Sequence, residues 1–253
     1  MKRVVWRRCG CTVRGRSHVV EDVPCQDSVG TLHRRNVSVV ALADGAGSAM
    51  LSHIGSKVCV SVLCEACCRS FDALWKMSEE EARATLVMTI LGALAEELPA
   101  GYGVESLAST ALVVAIKRNR YIAAHLGDGL IGMRGTDSHG YFLRTLSCPD
   151  NGEYSNETTF TISSDAINRI RVYRGLIRDG ASCVTGFILM SDGPEVALYR
   201  KQDKCLAPAC SKLLDAASQV SKRETNRLLH ESLDLISSTK TFDDCSIALM
   251  SHV

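Results

Sequence analysis

The chain predicts an α+β layered sandwich, on three observations. Segments rich in β-branched and apolar residues are numerous and are bounded by Gly, Asn or Asp, as strands are. Helical periodicity is confined to two pairs of stretches, without strict strand–helix alternation. Residues Arg118 and Asn119 turn one predicted strand directly back on the next, which favours antiparallel pairing.

In chain order, strands are predicted at 4–13 (VVWRRCGCTV) and 36–43 (NVSVVALA). A helix pair follows over about 51–75 and 79–97. Its second member opens with Ser78 and Glu81 in a capping-box arrangement ahead of an apolar stripe. Strands are then predicted at 109–116, 120–126, 129–135, 140–146, 158–162 (TTFTI), 167–173 (INRIRVY) and 186–191 (GFILMS). The second helix pair covers about 206–219 and 222–236, and the strand CSIALMS at 245–251 closes the order. The polar, turn-rich stretch CPDNGEYSNETTF is too long for a simple hairpin and reads as a loop near the functional cleft.

The bulk composition narrows the function. The chain has 253 residues, 46% hydrophobic and 23% charged, with a formal net charge of +1. That suits a globular domain with a sizeable core, and gives no support for a nucleic-acid or acidic-membrane partner. No linker, repeat or low-complexity tract divides it, so residues 1–253 are expected to form one domain. The basic start lacks the apolar core of a signal peptide, and no apolar run approaches membrane-spanning length. A cytosolic location is the expectation. Its twelve cysteines then read as free thiols, with Cys59, Cys64, Cys67 and Cys68 packing on a helix rather than binding zinc.

The chemistry lies at the ends of the predicted strands. In SVVALADGAGSAM an apolar run ends in Asp44, followed by Gly45, Ala46 and Gly47. Alone, that is a favoured turn dipeptide. The pattern recurs at Asp192-Gly193 in GFILMSDGPE and at Gly127-Asp128-Gly129 in YIAAHLGDGL, and Asp243 and Asp244 stand just before CSIALM. Core strands hold their ends close together, so such carboxylates can converge. Converging carboxylates repel unless they share protons or bind cations. Aspartate oxygens without Cys or His partners suit Mg²⁺ or Mn²⁺, and such a cluster makes a plausible two-metal hydrolytic site. Four independent hairpin turns are the ordinary alternative.

In chain order, PCQDS, LADGAGS, ASTALVVAI with YIAAHLGDG, LMSDG and DDCSIAL resemble the acidic and Ser-Thr-Ala motifs of one family. It is the metal-dependent protein phosphatase family, the type 2C serine/threonine phosphatases, and the similarity is to its compact bacterial-type members. The resemblance implies a four-layer α-β-β-α sandwich of two antiparallel sheets flanked by helix pairs. It implies that Asp44 bridges two ions, Mn²⁺ or Mg²⁺, that the Gly45 carbonyl binds one, and that Asp192 and Asp243 complete the first ion's ligands. Asp27 would hold metal-bound waters, Gln26 would stand at the second metal, and Asp128 would serve a third, weaker ion. A water bridging the metals would attack the phosphorus of phosphoserine or phosphothreonine in line with the leaving oxygen. The implied partners are a phosphorylated protein and a serine/threonine kinase.

Two positions depart from the pattern. Gln26 replaces a glutamate, and Ala46 stands where eukaryotic members carry a histidine proposed to protonate the leaving group. Arg14, Arg16 and His18 precede PCQDS and could approach the cleft, or stay solvated. Ser109 and Thr110 read as packing and hydrogen-bonding residues, since no His and Asp suggest a serine triad. The rival functions are a pseudophosphatase that binds a phosphoprotein or kinase without turnover, and a hydrolase of a small phosphorylated molecule.

Overall fold

A computed structural model describes residues 5–150 and 158–253. The elements in chain order are β1 (Trp6–Val13), α1 (Arg16–Val20), β2 (Ser28–Arg34), β3 (Val37–Ala43), α2 (Ser52–Lys76) and α3 (Glu79–Glu97). There follow β4 (Ala111–Lys117), β5 (Arg120–Leu126), β6 (Leu130–Asp137), β7 (Gly140–Ser147), α4 (Ala166–Arg169), β8 (Arg171–Leu176) and β9 (Arg178–Asp179). The chain ends with β10 (Ser182–Met190), α5 (Asp192–Leu198), β11 (Tyr199–Arg200), β12 (Cys205–Leu206), α6 (Pro208–Gln219), α7 (Lys222–Thr239) and β13 (Cys245–His252).

Two antiparallel sheets carry the fold. One has the order β1-β13-β10-β6-β7, with β9 added beside β10; the other has the order β2-β3-β4-β5-β8. Their residues sort into three apolar layers. Val40 and Leu42 of β3 and Leu112 and Val114 of β4 meet Ile131, Phe187, Leu189 and Ala248 between the sheets. The alternate residues Val39, Ala41, Val113 and Ala115 pack under α2 and α3. On the far side Ile188, Met190, Ile247 and Leu249 pack under α6 and α7. This is the expected α-β-β-α sandwich. Both faces of each central strand are covered, which is why VVALA and FILM are continuous apolar runs rather than alternating ones.

The expected helices form, and α3 carries the predicted box: Ser78 Oγ accepts from Glu81 N, and Glu81 returns a bond to Ser78 N at 2.8 Å. The hairpin β4–β5 closes through Arg118 at φ 56°, with Lys117 opposite Arg120. Cys59, Cys64, Cys67 and Cys68 are buried in the core under α2, and all twelve cysteines are free. Burial pushes the Cys59 and Cys64 thiols up to about 12, so they behave as small apolar groups.

Local reading failed in several places, the short helices α1 and α5 among them. Residues 158–162 are not a strand: they turn, Thr161 N donates to Ser109 O at 2.8 Å, and Phe160 and Ile162 pack against Ala46, Ala49 and Ala108. The predicted strand at 167–173 splits into α4 and β8. Strand β2 was not anticipated, because Gly30, His33 and Arg34 interrupt an apolar pattern that a half-buried edge strand does not need. Leu206, placed in a helix by periodicity, instead pairs with Tyr199 in a short ribbon, and the helix starts at Pro208. Of the long turn-rich stretch, residues 151–157 lie outside the described residues; among those described, no helix is long and apolar enough to cross a membrane.

Candidate active site

The strand registers bring the acidic positions to one end of the sandwich. Leu42 pairs with Leu112, Ala111 with Leu126, Leu130 with Met190, and Met190 with Ile247. The residues just beyond these pairs are Asp44, Gly127 to Gly129, Asp192, and Asp243 with Asp244. Ser28 opposes Ala43, which sets Asp27 beside Asp44. The loop of Asp44 is fixed by its backbone: Asp44 N donates to Thr110 Oγ1 and Thr110 N to Asp44 O, both at 2.8 Å. Thr110 is thus a positioning residue, as its place in a core strand led us to expect. At the next position a Cβ on Gly45 would lie 2.8 Å from both Gln26 O and Ser52 Cβ, so only glycine fits where the loop crosses PCQDS.

Asp192 opens α5, not a plain turn, and the adjacent Gly193 is equally constrained: a Cβ there would lie 2.0 Å from Asp244 O. The two neighbouring aspartates at the start of β13 part company. Asp243 is exposed at the rim. Asp244 is buried and accepts from Gly15 N and Gln26 N, each at 2.6 Å, with His18 Nδ1 2.9 Å away. It ties the first loop to the last strand. Asp244→Ala is expected to cost about 3 kcal/mol, since two buried backbone donors lose a charged acceptor. Urea unfolding checks this, and an unchanged midpoint would remove the clamp.

Electrostatics mark the cluster. Burial and the nearby Asp244 charge push the Asp27 carboxyl up to about 7, against the hydrogen bond from Ser191 that pulls it down. Burial and the charges of Asp243, Asp128 and Asp27 push Asp192 up to about 7. Asp44 is raised well above the usual carboxylate range by burial and by Asp27, Asp192 and Asp128. Asp243 is raised by partial desolvation and by Asp244. Asp128 follows Gly127, which has φ 105°, and accepts from Thr158 Oγ1 at 2.5 Å. So Asp27, Asp44, Asp128, Asp192 and Asp243 share one electrostatic site.

The other anticipated residues take varied places. Gln26 is buried, its peptide accepts from Gly45 N at 3.2 Å and from Ser56 Oγ at 2.6 Å, and its amide oxygen lies near Gly47. Ala46 is buried in an apolar nest with Ala49 and Ala108, and its own methyl offers no proton. Arg16 donates to Thr241 O at 2.9 Å and stacks 4.2 Å from the Phe242 ring, while Arg14 bonds Val23 O at 3.3 Å. Arg16 ties α1 to the segment ahead of β13, and Arg14 stays within its own loop. Ser191, which donates to Asp27 Oδ2 at 2.8 Å and receives Ser246 N at 3.1 Å, escaped sequence reading; its place before Asp192 was the one available signal.

The donor set fits hard cations. Asp27 Oδ1 is buried without a hydrogen-bond partner, and the surrounding carboxylates repel one another. Cys245, a soft donor beside the cluster, stays protonated because burial and four aspartates push its thiol up to about 12. Among the described residues, no three Asp, Glu, His or Cys side chains already close around a single point. The case for metal therefore rests on charge and donor chemistry.

The same chain order and fold occur in known proteins. The family described as Protein phosphatase 2C matches residues 14–234. Serine/threonine-protein phosphatase 3 of Escherichia coli (strain K12) is 26% identical over 243 residues, covering 86% of this chain and 90% of that protein. The S. agalactiae serine/threonine phosphatase superposes with a TM-score of 0.63 at 19% identity, covering 98% of this chain and 99% of that one. The Mycobacterium tuberculosis serine/threonine phosphatase PstP/Ppp gives 0.62 at 16% identity, over 98% and 99%. At these identities the structures speak to fold alone, and it is the family match, over most of the sequence, that shows the chain to belong to the protein phosphatase 2C family.

Proposed function

We propose that this protein is a metal-dependent phosphatase of phosphoserine and phosphothreonine in proteins. The observation that carries the reading is the convergence of Asp27, Asp44, Asp128, Asp192 and Asp243 on one end of the sandwich, where burial and one another's charges raise the carboxyls of Asp27, Asp44, Asp192 and Asp243. Asp44, the Gly45 carbonyl, Asp192 and Asp243 would hold two Mn²⁺ or Mg²⁺ ions, with Asp27 and Gln26 on the water-bearing side and Asp128 beside a third ion. When bound, the ions lower the pKa of an attacking water and neutralise the phosphoryl oxygens. The chain's own part is positional. Thr110 and Ser191 hold Asp44 and Asp27, and Asp244 locks the first loop to β13. Residues 1–253 act as one catalytic domain. The counterpart enzyme is a kinase, since a phosphoester must be made before it is cleaved, and the free thiols suit a cytosolic setting.

Hydrolysis of p-nitrophenyl phosphate and of a phosphothreonine peptide tests the reading. Activity is expected with added Mn²⁺ or Mg²⁺ and none after chelation, because every proposed ligand is a hard oxygen. Activity that survives exhaustive chelation, or that needs only zinc, would sink it. Ala46 in its apolar nest favours a slow enzyme or, as a second reading, a module that binds without turnover. Tight phosphopeptide binding with no release of phosphate identifies the latter.

Gln26→Glu bears on the second ion. An amide oxygen offers a dipole where a carboxylate offers a charge. The variant is expected to reach half-maximal activity at a lower Mn²⁺ concentration, with less effect on the saturated rate. Superimposable titration curves would remove Gln26 from the metal site.

A further inference from the structure

Strands β1 and β2 are the edge strands of their sheets, and they lie on the same side of the sandwich. Between them, under α2, opens a cavity of about 320 Å³. Its walls include Cys11 and Thr12 of β1, Ser28 of β2, Val60 and Lys57 of α2, and Asp27. Asp27 also belongs to the aspartate cluster, so cavity and cluster share a wall. Lys57 is exposed and has no carboxylate within 4.0 Å among the described residues. Ser28 Oγ is within 3.0 Å of Ser56 Oγ. The cavity thus offers one uncompensated cation, hydroxyl groups and an apolar floor at Val60.

Resting on the phosphoprotein reading above, we infer that this cavity is a substrate subsite for an aspartate or glutamate side chain flanking the phosphorylated residue. An extended peptide advances about 3.3 Å per residue and places alternate side chains on opposite sides. With its phosphoryl group at the cluster, a neighbour one or two positions away reaches past Asp27 into the cavity. Its methylenes lie on Val60 and its carboxylate meets Lys57. Asp27 is buried and its Oδ2 is engaged by Ser191 Oγ at 2.8 Å, whereas Lys57 is exposed, so it is the ammonium that meets a ligand entering the cavity.

The test measures binding of two fluorescent peptides to the full chain in Mn²⁺. Each carries a non-hydrolysable phosphonate in place of phosphothreonine, flanked on both sides by two Glu residues in one peptide and two Gln in the other. Fluorescence anisotropy is expected to give about fivefold tighter binding of the Glu peptide, the range of a partly exposed ion pair. Raised salt shrinks the preference. Lys57→Gln is expected to bring the ratio near one and Lys57→Glu to invert it; the exposed position keeps both variants folded. Equal affinities in the parent, or a preference that survives Lys57→Gln, overturn the subsite. Hydrolysis of p-nitrophenyl phosphate by the parent is scored separately. Its failure counts against the phosphatase reading, while the binding ratio still decides the subsite.

Discussion

Asp44→Asn is expected to lower turnover by about 10³-fold or more, since it removes the charge around which the other ligands are arranged. In the metal-free state the same variant is expected to melt at or above the parent's temperature. The backbone of Asp44 is held by Thr110 through two bonds that do not involve its side chain, so asparagine leaves the loop in place. What it removes is repulsion from Asp27, Asp192 and Asp128. Each kcal/mol relieved is worth about 2–4 °C for a chain of this size. Asp192→Asn and Asp243→Asn are expected to abolish turnover likewise, with a smaller thermal gain for Asp243, which faces solvent. Thermal melts in chelator beside phosphatase assays in Mn²⁺ check both halves. A large fall in melting temperature would make these aspartates structural turn formers.

Without metal, the protein is expected to lose stability as pH rises from 6 to 8. Asp27 and Asp192 ionise near 7 in the folded chain, against about 3.9 when unfolded. Because the folded state holds these protons more tightly, the contribution is full below about pH 4 and is lost as pH climbs through about 7. One such carboxyl accounts for roughly 4 kcal/mol over the whole window, of which about 1 kcal/mol is lost between pH 6.5 and 8; the two are coupled, so their effects do not add. His125 works the other way. It is buried and its pKa is depressed by burial and Arg171, so its contribution is present above about 6.5 and lost as pH falls. Between pH 6.5 and 8 the unfolded imidazole loses its last half proton and returns about 0.4 kcal/mol, less than the carboxylates remove, so the net slope stays downward. Urea titrations at pH 6.5 and 8 in chelator measure it. Asp44→Asn should flatten the fall, and Mn²⁺ at pH 8 should restore the loss by binding only the folded state. A metal-free protein at its most stable near pH 8 would refute the repulsive cluster.

The sequence by itself determined the elements whose cause is local. The capping box at Ser78, the tight turn at Arg118 and the apolar runs 37–43 and 186–190 each state their structure within a few residues. It also determined which carboxylates end core strands, because each stands beside glycine or at the foot of an apolar run. Tertiary structure alone decided what those carboxylates do. Asp243 and Asp244 are chemically identical neighbours, yet one reaches the rim and the other is buried on Gly15 N and Gln26 N, more than two hundred residues away in sequence. Strand β2 and the turn at 158–162 were illegible for the same reason. Their apolar residues are satisfied by partners on distant segments, Phe160 by Ala46 and Ala108, Val29 by the inter-sheet core, and no local period records a distant contact.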